Sequence, residues 1–227
     1  PGWGRSPRPT FYAGHPVICT VQSIMGSAED DYRRVRLQRP WRGREVVPGQ
    51  FIRVHVADQF DYFAVTNFRG SDTHFDLLVS GGRLSAQSLR QSQVSEQFEV
   101  TGPEGRGYPE PLADGYLLVA GGSGVASLLP VVEWSVTHGV PCRLLYLDRG
   151  PRMLGSGQLS AVTSPSVSIT IWDTASQGRP ADVLSLVGEA DLTRARVCAC
   201  GPRGLLTNIT CALLSRGLGP GDLHLNS

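Results

Sequence analysis

An apolar segment that runs directly into glycines is the first candidate for ligand binding in this sequence. Residues 116–120 are unbroken apolar, as expected of a strand buried on both faces, and Gly121-Gly122-Ser123-Gly124 follows. From Val125 onward, apolar residues recur at helical spacing. Because glycine allows close approach and a helix N-terminus offers unpaired N–H groups, this turn can bind a pyrophosphate. The spacing is not GxGxxG, so a plain strand-to-helix connection is the alternative.

Cys200-Gly201-Pro202 is the second candidate, at the carboxyl end of the strand predicted over 196–199. Ligands of open parallel sheets bind at that edge, so both turns are expected there. Cys200 is the candidate catalytic residue because its thiol can touch a flat ring, while Gly201 and Pro202 fix the turn before the last helix. The alternative is a small buried thiol followed by a helix-starting proline.

Asp148 and Arg149 follow the strand predicted over 143–147, where the ribose of a bound dinucleotide is expected. A carboxylate at Asp148 can accept hydrogen bonds from ribose hydroxyls, which favours NAD. Arg149 or Arg152 can instead bind a 2′-phosphate, which favours NADP. Surface charges without a ligand are the third interpretation.

Charge and cysteine content exclude several classes of protein. Lys and Arg number 21 against 20 Asp and Glu, so no net field attracts the chain to nucleic acid or to an anionic membrane. No apolar run reaches the ~18 residues of a membrane span. Cys19, Cys142, Cys198, Cys200 and Cys211 lack the spacing of a disulfide framework, a zinc site or an iron–sulfur site. We therefore expect no metal and a reducing, cytoplasmic compartment.

The pattern of the chain changes near residue 108, and we expect two domains, residues 1–108 and 109–227. The first half contains short segments of strand length separated by turn residues, which predicts a six-stranded antiparallel β-barrel. One helix is expected over 84–92. The six predicted strands are 17–24, 32–37, 50–56, 62–67, 75–80 and 97–100.

The second half alternates continuous apolar strands with helical stretches. Strands are predicted over 116–120, 143–147, 167–171 and 196–199. Repeated strand–helix–strand units predict a parallel sheet, so the fold class is an all-β barrel followed by an α/β nucleotide-binding domain. Pro130 is expected in the first turn of its helix, where a missing N–H removes no hydrogen bond.

Six motifs follow one another along the chain: Pro48-Gly49-Gln50-Phe51, Phe63-Ala64-Val65-Thr66-Asn67, Gly81-Gly82-Arg83-Leu84-Ser85, Gly102-Pro103-Glu104-Gly105, residues 118–126, and Cys200-Gly201-Pro202. This succession resembles the ferredoxin reductase-like family of flavin and nicotinamide oxidoreductases, and the ending of the chain looks most like the phthalate dioxygenase reductase branch. The resemblance implies a flavin, FMN or FAD, on the barrel and NAD(P)H on the second domain. It also implies that electrons pass to an iron–sulfur carrier or an oxygenase component, as a separate partner or as a domain of the same polypeptide.

The implied flavin-binding residues depart from the family pattern of Arg, any residue, Tyr, then Ser or Thr. Aligned on Asn67, those positions hold Asp61, Tyr62, Phe63 and Ala64, with Val65 next. Asp61 is expected to repel a flavin phosphate, Phe63 lacks the Tyr hydroxyl, and Ala64 cannot donate a hydrogen bond. The second flavin segment, Gly82-Arg83-Leu84-Ser85, still matches the family pattern, and Arg83 can take over part of the phosphate binding. We therefore expect flavin to bind weakly or not at all.

Three functions are consistent with these motifs. The leading hypothesis is an NAD(P)H-dependent electron-transfer reductase, in which the cofactors carry the chemistry. The alternative is a degenerate, flavin-free family member that acts as a binding or assembly module, because fold alone does not fix function. A third hypothesis is a regulatory subunit that keeps only the nucleotide site. The two ends, Pro1 and residues 224–227, also predict a fragment of a longer polypeptide.

Overall fold

A computed structural model describes residues 15–27, 31–39, 46–66, 73–149, 159, 164–187, 192–219 and 223–226. The chain divides into two compact units, Pro1–Gly107 and Tyr108–Ser227, one residue from the division drawn on sequence. Each unit has its own sheet and its own apolar core. In the described part of the chain, no helix is both long enough and apolar enough to cross a membrane.

The first unit is a six-stranded antiparallel barrel, which confirms the sequence prediction. Its strands are β1 (Val17–Met25), β2 (Tyr32–Gln38), β3 (Phe51–Val56), β4 (Gln59–Ala64), β5 (His74–Ser80) and β6 (Gln97–Glu104). They pair in the order β4-β3-β6-β1-β2-β5. The barrel closes where the chain after β4 reaches β5: Val65 bridges Leu77, and the Thr66 amide donates to the Asp76 carbonyl at 2.8 Å.

The β3–β4 hairpin begins earlier than the sequence indicated. Val56 pairs with Gln59 across a two-residue turn, so β4 starts at Gln59 rather than at residue 62. Ala57 adopts a φ of 52° in this turn, a left-handed conformation that a tight hairpin needs and that alanine seldom adopts. Asn67, on which the flavin motif was aligned, lies outside the described residues.

Side chains alternate along each strand between the interior and the outer face of the barrel, and the inward ones form its core. On β3, Ile52 and Val54 are fully buried, whereas Arg53 is only half-buried on the outer face. The helix α1 (Leu84–Gln91) packs against β3, β4 and β5 and buries Ala86 and Leu89. This packing fixes the N-terminus of α1 beside β4, where the predicted flavin residues lie.

A buried acid links β2 and β5 on the barrel wall. Asp76 is 1% exposed and accepts from Arg34 at 2.7 Å and from Arg36 at 2.6 and 2.8 Å. Burial alone raises the pKa of Asp76, but the hydrogen bonds and charges of Arg36 and Arg34 outweigh it and hold that pKa below its ordinary value of 3.8. The carboxylate therefore stabilises the folded barrel.

The second unit is a five-stranded parallel sheet with helices on both faces. Its strands are β7 (Tyr116–Gly121), β8 (Cys142–Asp148), β9 (Val167–Asp173), β10 (Arg196–Cys200) and β11 (Leu223–Asn226), in the order β11-β10-β7-β8-β9. The helix α3 (Arg203–Leu214) covers the face that carries Leu117 and Val119. The helix α2 (Val125–His138) covers the other face, where Trp134 meets Tyr116 edge to face. This two-sided cover explains the unbroken apolar run of β7.

Two features of this unit differ from the sequence expectation. Pro130 is the sixth residue of α2 rather than a first-turn residue, so the helix lacks one interior N–H, and the proline ring is buried. The edge strand β11 was not predicted. It has only four residues and pairs with β10 alone, which leaves too little sequence for a recognisable period.

We predict that Asp76→Asn destabilises the barrel by about 1–3 kcal/mol near neutral pH, because Arg34 and Arg36 lose the buried countercharge; the cost is below that of a fully buried pair since Arg36 is partly exposed. Urea denaturation followed by far-UV circular dichroism, which detects the barrel strands, measures this loss. Because the pKa of Asp76 is lowered in the fold, its contribution is complete above pH 3.8 and disappears as the pH falls further.

The matched control is Asp114→Asn, which removes one member of a solvent-exposed pair with Arg194 at 3.0 Å. That change is expected to cost less than ~1 kcal/mol. Equal losses for the two variants, or an acid transition unchanged in Asp76→Asn, would contradict a stabilising role for Asp76.

Candidate functional site

The carboxyl ends of β7 and β10 lie side by side. The two strands pair in parallel with Ala120 opposite Cys200. The chain leaves β7 toward β8 on one side and later returns to β10 on the other, so the strand order reverses here. This reversal is the usual ligand position of an open parallel sheet. The structure therefore brings together the glycine turn (residues 121–124) and the cysteine turn (residues 200–202), as the sequence predicted.

The two turns touch through backbone atoms. A Cβ on Gly124 would lie 2.4 Å from the carbonyl oxygen of Cys200, and one on Gly201 would lie 2.9 Å from the amide nitrogen of Gly121. A Cβ on Gly121 would lie 2.6 Å from Leu205. Real Cβ atoms do not approach backbone so closely, so Gly124 and Gly201 are required for packing whether or not a ligand binds, whereas a Cβ on Gly121 would displace the Leu205 side chain.

The glycine turn has the properties of an anion site. Gly122–Gly124 forms one turn of 3-10 helix that continues into α2, and Gly122 has a φ of 53°, in the left-handed region that favours glycine. Within the described residues, no side chain caps this N-terminus and no acid lies in the first turn of α2. Ser123 is exposed. The unpaired N–H groups and the helix dipole therefore favour a phosphate here.

Cys200 carries a neutral thiol. The side chain is half-buried, and burial raises its pKa, against a smaller opposite effect of a hydrogen bond with Ser127. Ser127 in turn donates to the Gly124 carbonyl at 3.0 Å and lies 2.9 Å from the Tyr108 hydroxyl. A neutral thiol is a poor nucleophile, so Cys200 offers an uncharged contact surface and not a reactive thiolate. Tyr108 and Ser127 match no motif, so their place beside Cys200 was not predicted.

Asp148 lies at the carboxyl end of β8, next to the glycine turn. The Tyr146 hydroxyl donates to one carboxylate oxygen, and the Arg149 amide donates to the other at 2.7 Å. Asp148 is half-buried and Arg149 is exposed, while Arg152 lies outside the described residues. The carboxylate is thus held as an acceptor at the predicted ribose position. The role of Tyr146 was not foreseen, because a tyrosine in a buried strand resembles any core residue.

The predicted flavin residues lie at the β4–α1 corner, defined by Asp61, Arg83 and Ser85. Arg83 is the N-cap of α1 and pairs with Asp61 at 3.1 Å. Ser85 is 1% exposed, and its hydroxyl has no hydrogen-bond partner among the described residues. An uncapped helix N-terminus and an exposed guanidinium suit a flavin phosphate, whereas the Asp61 carboxylate opposes it.

The remaining flavin candidates divide between the core and the surface. Phe63 and Val65 belong to the apolar core of the barrel, so their burial needs no ligand. Ala64 points to the opposite side of β4 and is half-buried. Leu84 is 44% exposed at the first helical position of α1, and Gly82 has a φ of 152° just before it.

We predict that Gly124→Ala destabilises the second unit by about 1–3 kcal/mol, because its methyl group would overlap the Cys200 carbonyl. Gly124 has ordinary helical dihedrals, φ −60° and ψ −22°, so backbone strain does not contribute. The control is Gly204→Ala in α3, where nothing lies within 4 Å of the new Cβ. That variant should be as stable as the wild type or more so by about 0.5–1 kcal/mol in urea denaturation. Equal stabilities would show that the two turns are not in contact in solution.

Comparison with curated proteins finds electron-transfer subunits, although no protein-family model matches the chain. The probable dihydroorotate dehydrogenase B (NAD(+)) electron transfer subunit of Methanopyrus kandleri is 30% identical over 188 residues, covering 78% of this chain and 66% of the relative. The corresponding subunit of Caldanaerobacter subterraneus is 26% identical over 181 residues, covering 73% of this chain and 65% of the relative. The chain spans just under two thirds of the length of these relatives.

Solved structures match nearly the whole chain. Phthalate dioxygenase reductase has a TM-score of 0.76 at 21% identity, covering 93% of this chain and 68% of that one. The FAD/NAD-binding domain of nitric oxide dioxygenase from Vibrio cholerae has a TM-score of 0.75 at 14% identity, covering 93% of this chain and 98% of that one. The chain therefore has the ferredoxin reductase-like fold, and its resemblance to the ferredoxin reductase-like family is confirmed.

Proposed function

We propose that this chain is an NAD(P)H-dependent flavin reductase module that passes electrons to an iron–sulfur domain or an oxygenase partner. The observation that carries this proposal is the pair of backbone turns, residues 121–124 and 200–202, joined at the strand-order reversal of a parallel sheet. The names of the relatives support it, since they are electron transfer subunits of an NAD(+)-dependent enzyme.

In this proposal the second unit binds the dinucleotide mainly through backbone. The N–H groups of the glycine turn bind the pyrophosphate, and Val125 begins the helix whose dipole supports it. Asp148 accepts from the ribose hydroxyls, which favours NADH over NADPH, because a 2′-phosphate would meet the carboxylate. Cys200, with its neutral thiol, and the Gly201-Pro202 turn contact the nicotinamide ring.

The first unit holds the flavin, FMN or FAD, at the β4–α1 corner. Arg83 and the first-turn N–H groups of α1, which include that of Ser85, bind the phosphate, and Phe63, Ala64 and Val65 lie along the strand beside the ring system. A bound flavin supplies hydride acceptance and release of single electrons. The protein's own residues bind and orient the cofactor and exchange no protons in this scheme.

The electron acceptor is an iron–sulfur carrier or an oxygenase component. A plant-type cluster needs four thiolates, and the five cysteines of this chain are scattered. Cys19, Cys142 and Cys198 are buried in the described structure, and burial raises the pKa of each thiol. The cluster therefore belongs to a separate partner or to a further domain of the same polypeptide.

A flavin-free binding or assembly module is the second candidate. The observation that favours it is the ion pair between Asp61 and Arg83, which engages the cation that a flavin phosphate would use. Visible spectra of the purified protein, with and without added FMN or FAD, separate the two candidates. For the reductase, a bound flavin spectrum should bleach when NADH is added without oxygen. A colourless protein that never bleaches added flavin would support the assembly module.

We predict that Ser123→Glu weakens NADH binding by about tenfold or more, because a carboxylate at the exposed tip of the glycine turn would repel the pyrophosphate. The fold should stay intact, since an acid at a helix N-terminus is favourable by about 0.3–1 kcal/mol. Titration calorimetry measures the affinity, and thermal unfolding measures the stability.

Ser123→Gln is the matched control, with similar size and no charge. It should bind NADH within about threefold of the wild type, because its amide neither repels nor mimics the phosphate. If Ser123→Glu and Ser123→Gln bind NADH equally well, the glycine turn serves only as a strand-to-helix connection.

A further inference from the structure

The β4–α1 corner contains one cation and one buried acid. Arg83 is the N-cap of α1, and its side chain is 82% exposed. Asp61 lies on β4, opposite Val54 of β3, and its side chain is only 11% exposed. The acid is therefore fixed by the barrel, whereas the arginine can move.

The ion pair with Asp61 limits how strongly the Arg83 guanidinium can bind a phosphate. Among the described residues, Arg83 is the cation that pairs with the Asp61 carboxylate, at 3.1 Å. If Arg83 turned fully to a phosphate, a largely buried carboxylate would lose its countercharge while an anion lay nearby. If the ion pair stayed intact, its two charges would act on the phosphate in opposite directions and nearly cancel.

The same corner does not disfavour the sugar-alcohol part of a flavin. A carboxylate accepts hydrogen bonds from hydroxyl groups, and a guanidinium donates to them. Only the phosphate is penalised by Asp61.

We infer that Asp61 determines flavin specificity in this protein: by pairing with Arg83 and by opposing the positive end of α1, it removes the preference for a phosphorylated flavin, so that riboflavin binds about as tightly as FMN. This inference rests on the proposed function, since it assumes that flavin binds at the β4–α1 corner. It assigns unphosphorylated flavin, together with FMN, to the class of ligands that the barrel accepts.

The test measures dissociation constants of riboflavin and FMN by flavin fluorescence for the full chain and three variants. For the wild type the two constants should agree within about threefold. In Asp61→Asn the constant for FMN should fall by about tenfold or more, because Arg83 then acts unopposed, and that for riboflavin should change by less than about threefold. In Arg83→Gln, FMN should bind about tenfold more weakly than riboflavin, because the Asp61 charge is then unopposed.

Asp114→Asn is the control for net charge, because it removes an acid of the second unit that pairs with Arg194. It should leave both constants unchanged. A hundredfold preference of the wild type for FMN, or an Asp61→Asn variant with an unchanged ratio, would overturn the inference while leaving the reductase proposal standing. If neither flavin binds to the wild type or to Asp61→Asn, although NADH still binds, the inference and the reductase proposal both fail.

Discussion

Direct contact between two backbone turns fixes the edge of the parallel sheet at which the dinucleotide is proposed to bind. The glycine turn and the cysteine turn approach until a Cβ on Gly124 would overlap the Cys200 carbonyl at 2.4 Å. Because this contact joins backbone to backbone, the shape of the edge depends on glycine at positions 124 and 201. The neutral thiol of Cys200 and the donors of the glycine turn both take their positions from it.

The elements that sequence predicted best are those whose environment is uniform along their length. β7 is covered by α2 on one face and α3 on the other, so its apolar run has one explanation. β11 pairs only at the sheet edge and is too short to show a period. The β3–β4 turn was missed because Ala57 adopts a left-handed conformation that its residue type does not indicate.

The positions of the site residues were easier to predict than their partners. A motif at the end of a parallel strand must lie at the carboxyl edge, so the approach of residues 121–124 to residues 200–202 follows from strand order. The pairing of Asp61 with Arg83 joins residues 22 positions apart, and it depends on how α1 packs beside β4. The residues around Asp61 and Arg83 in the sequence do not indicate how α1 packs against β4. The ion pair between Asp61 and Arg83 was therefore not predicted.

The environment of Cys200 also determines how readily oxidants modify its thiol. Peroxide and disulfides react with thiolate, and the fraction of thiolate falls as burial raises the pKa of Cys200. The first step, to sulfenic acid, is correspondingly slow for a half-buried neutral thiol. Cys211 on α3 is exposed, so oxidants reach its sulfur directly from solvent. The burial that keeps the Cys200 thiol uncharged thus also protects it from oxidation. Among these two cysteines, we expect Cys211 on α3 to be oxidised first.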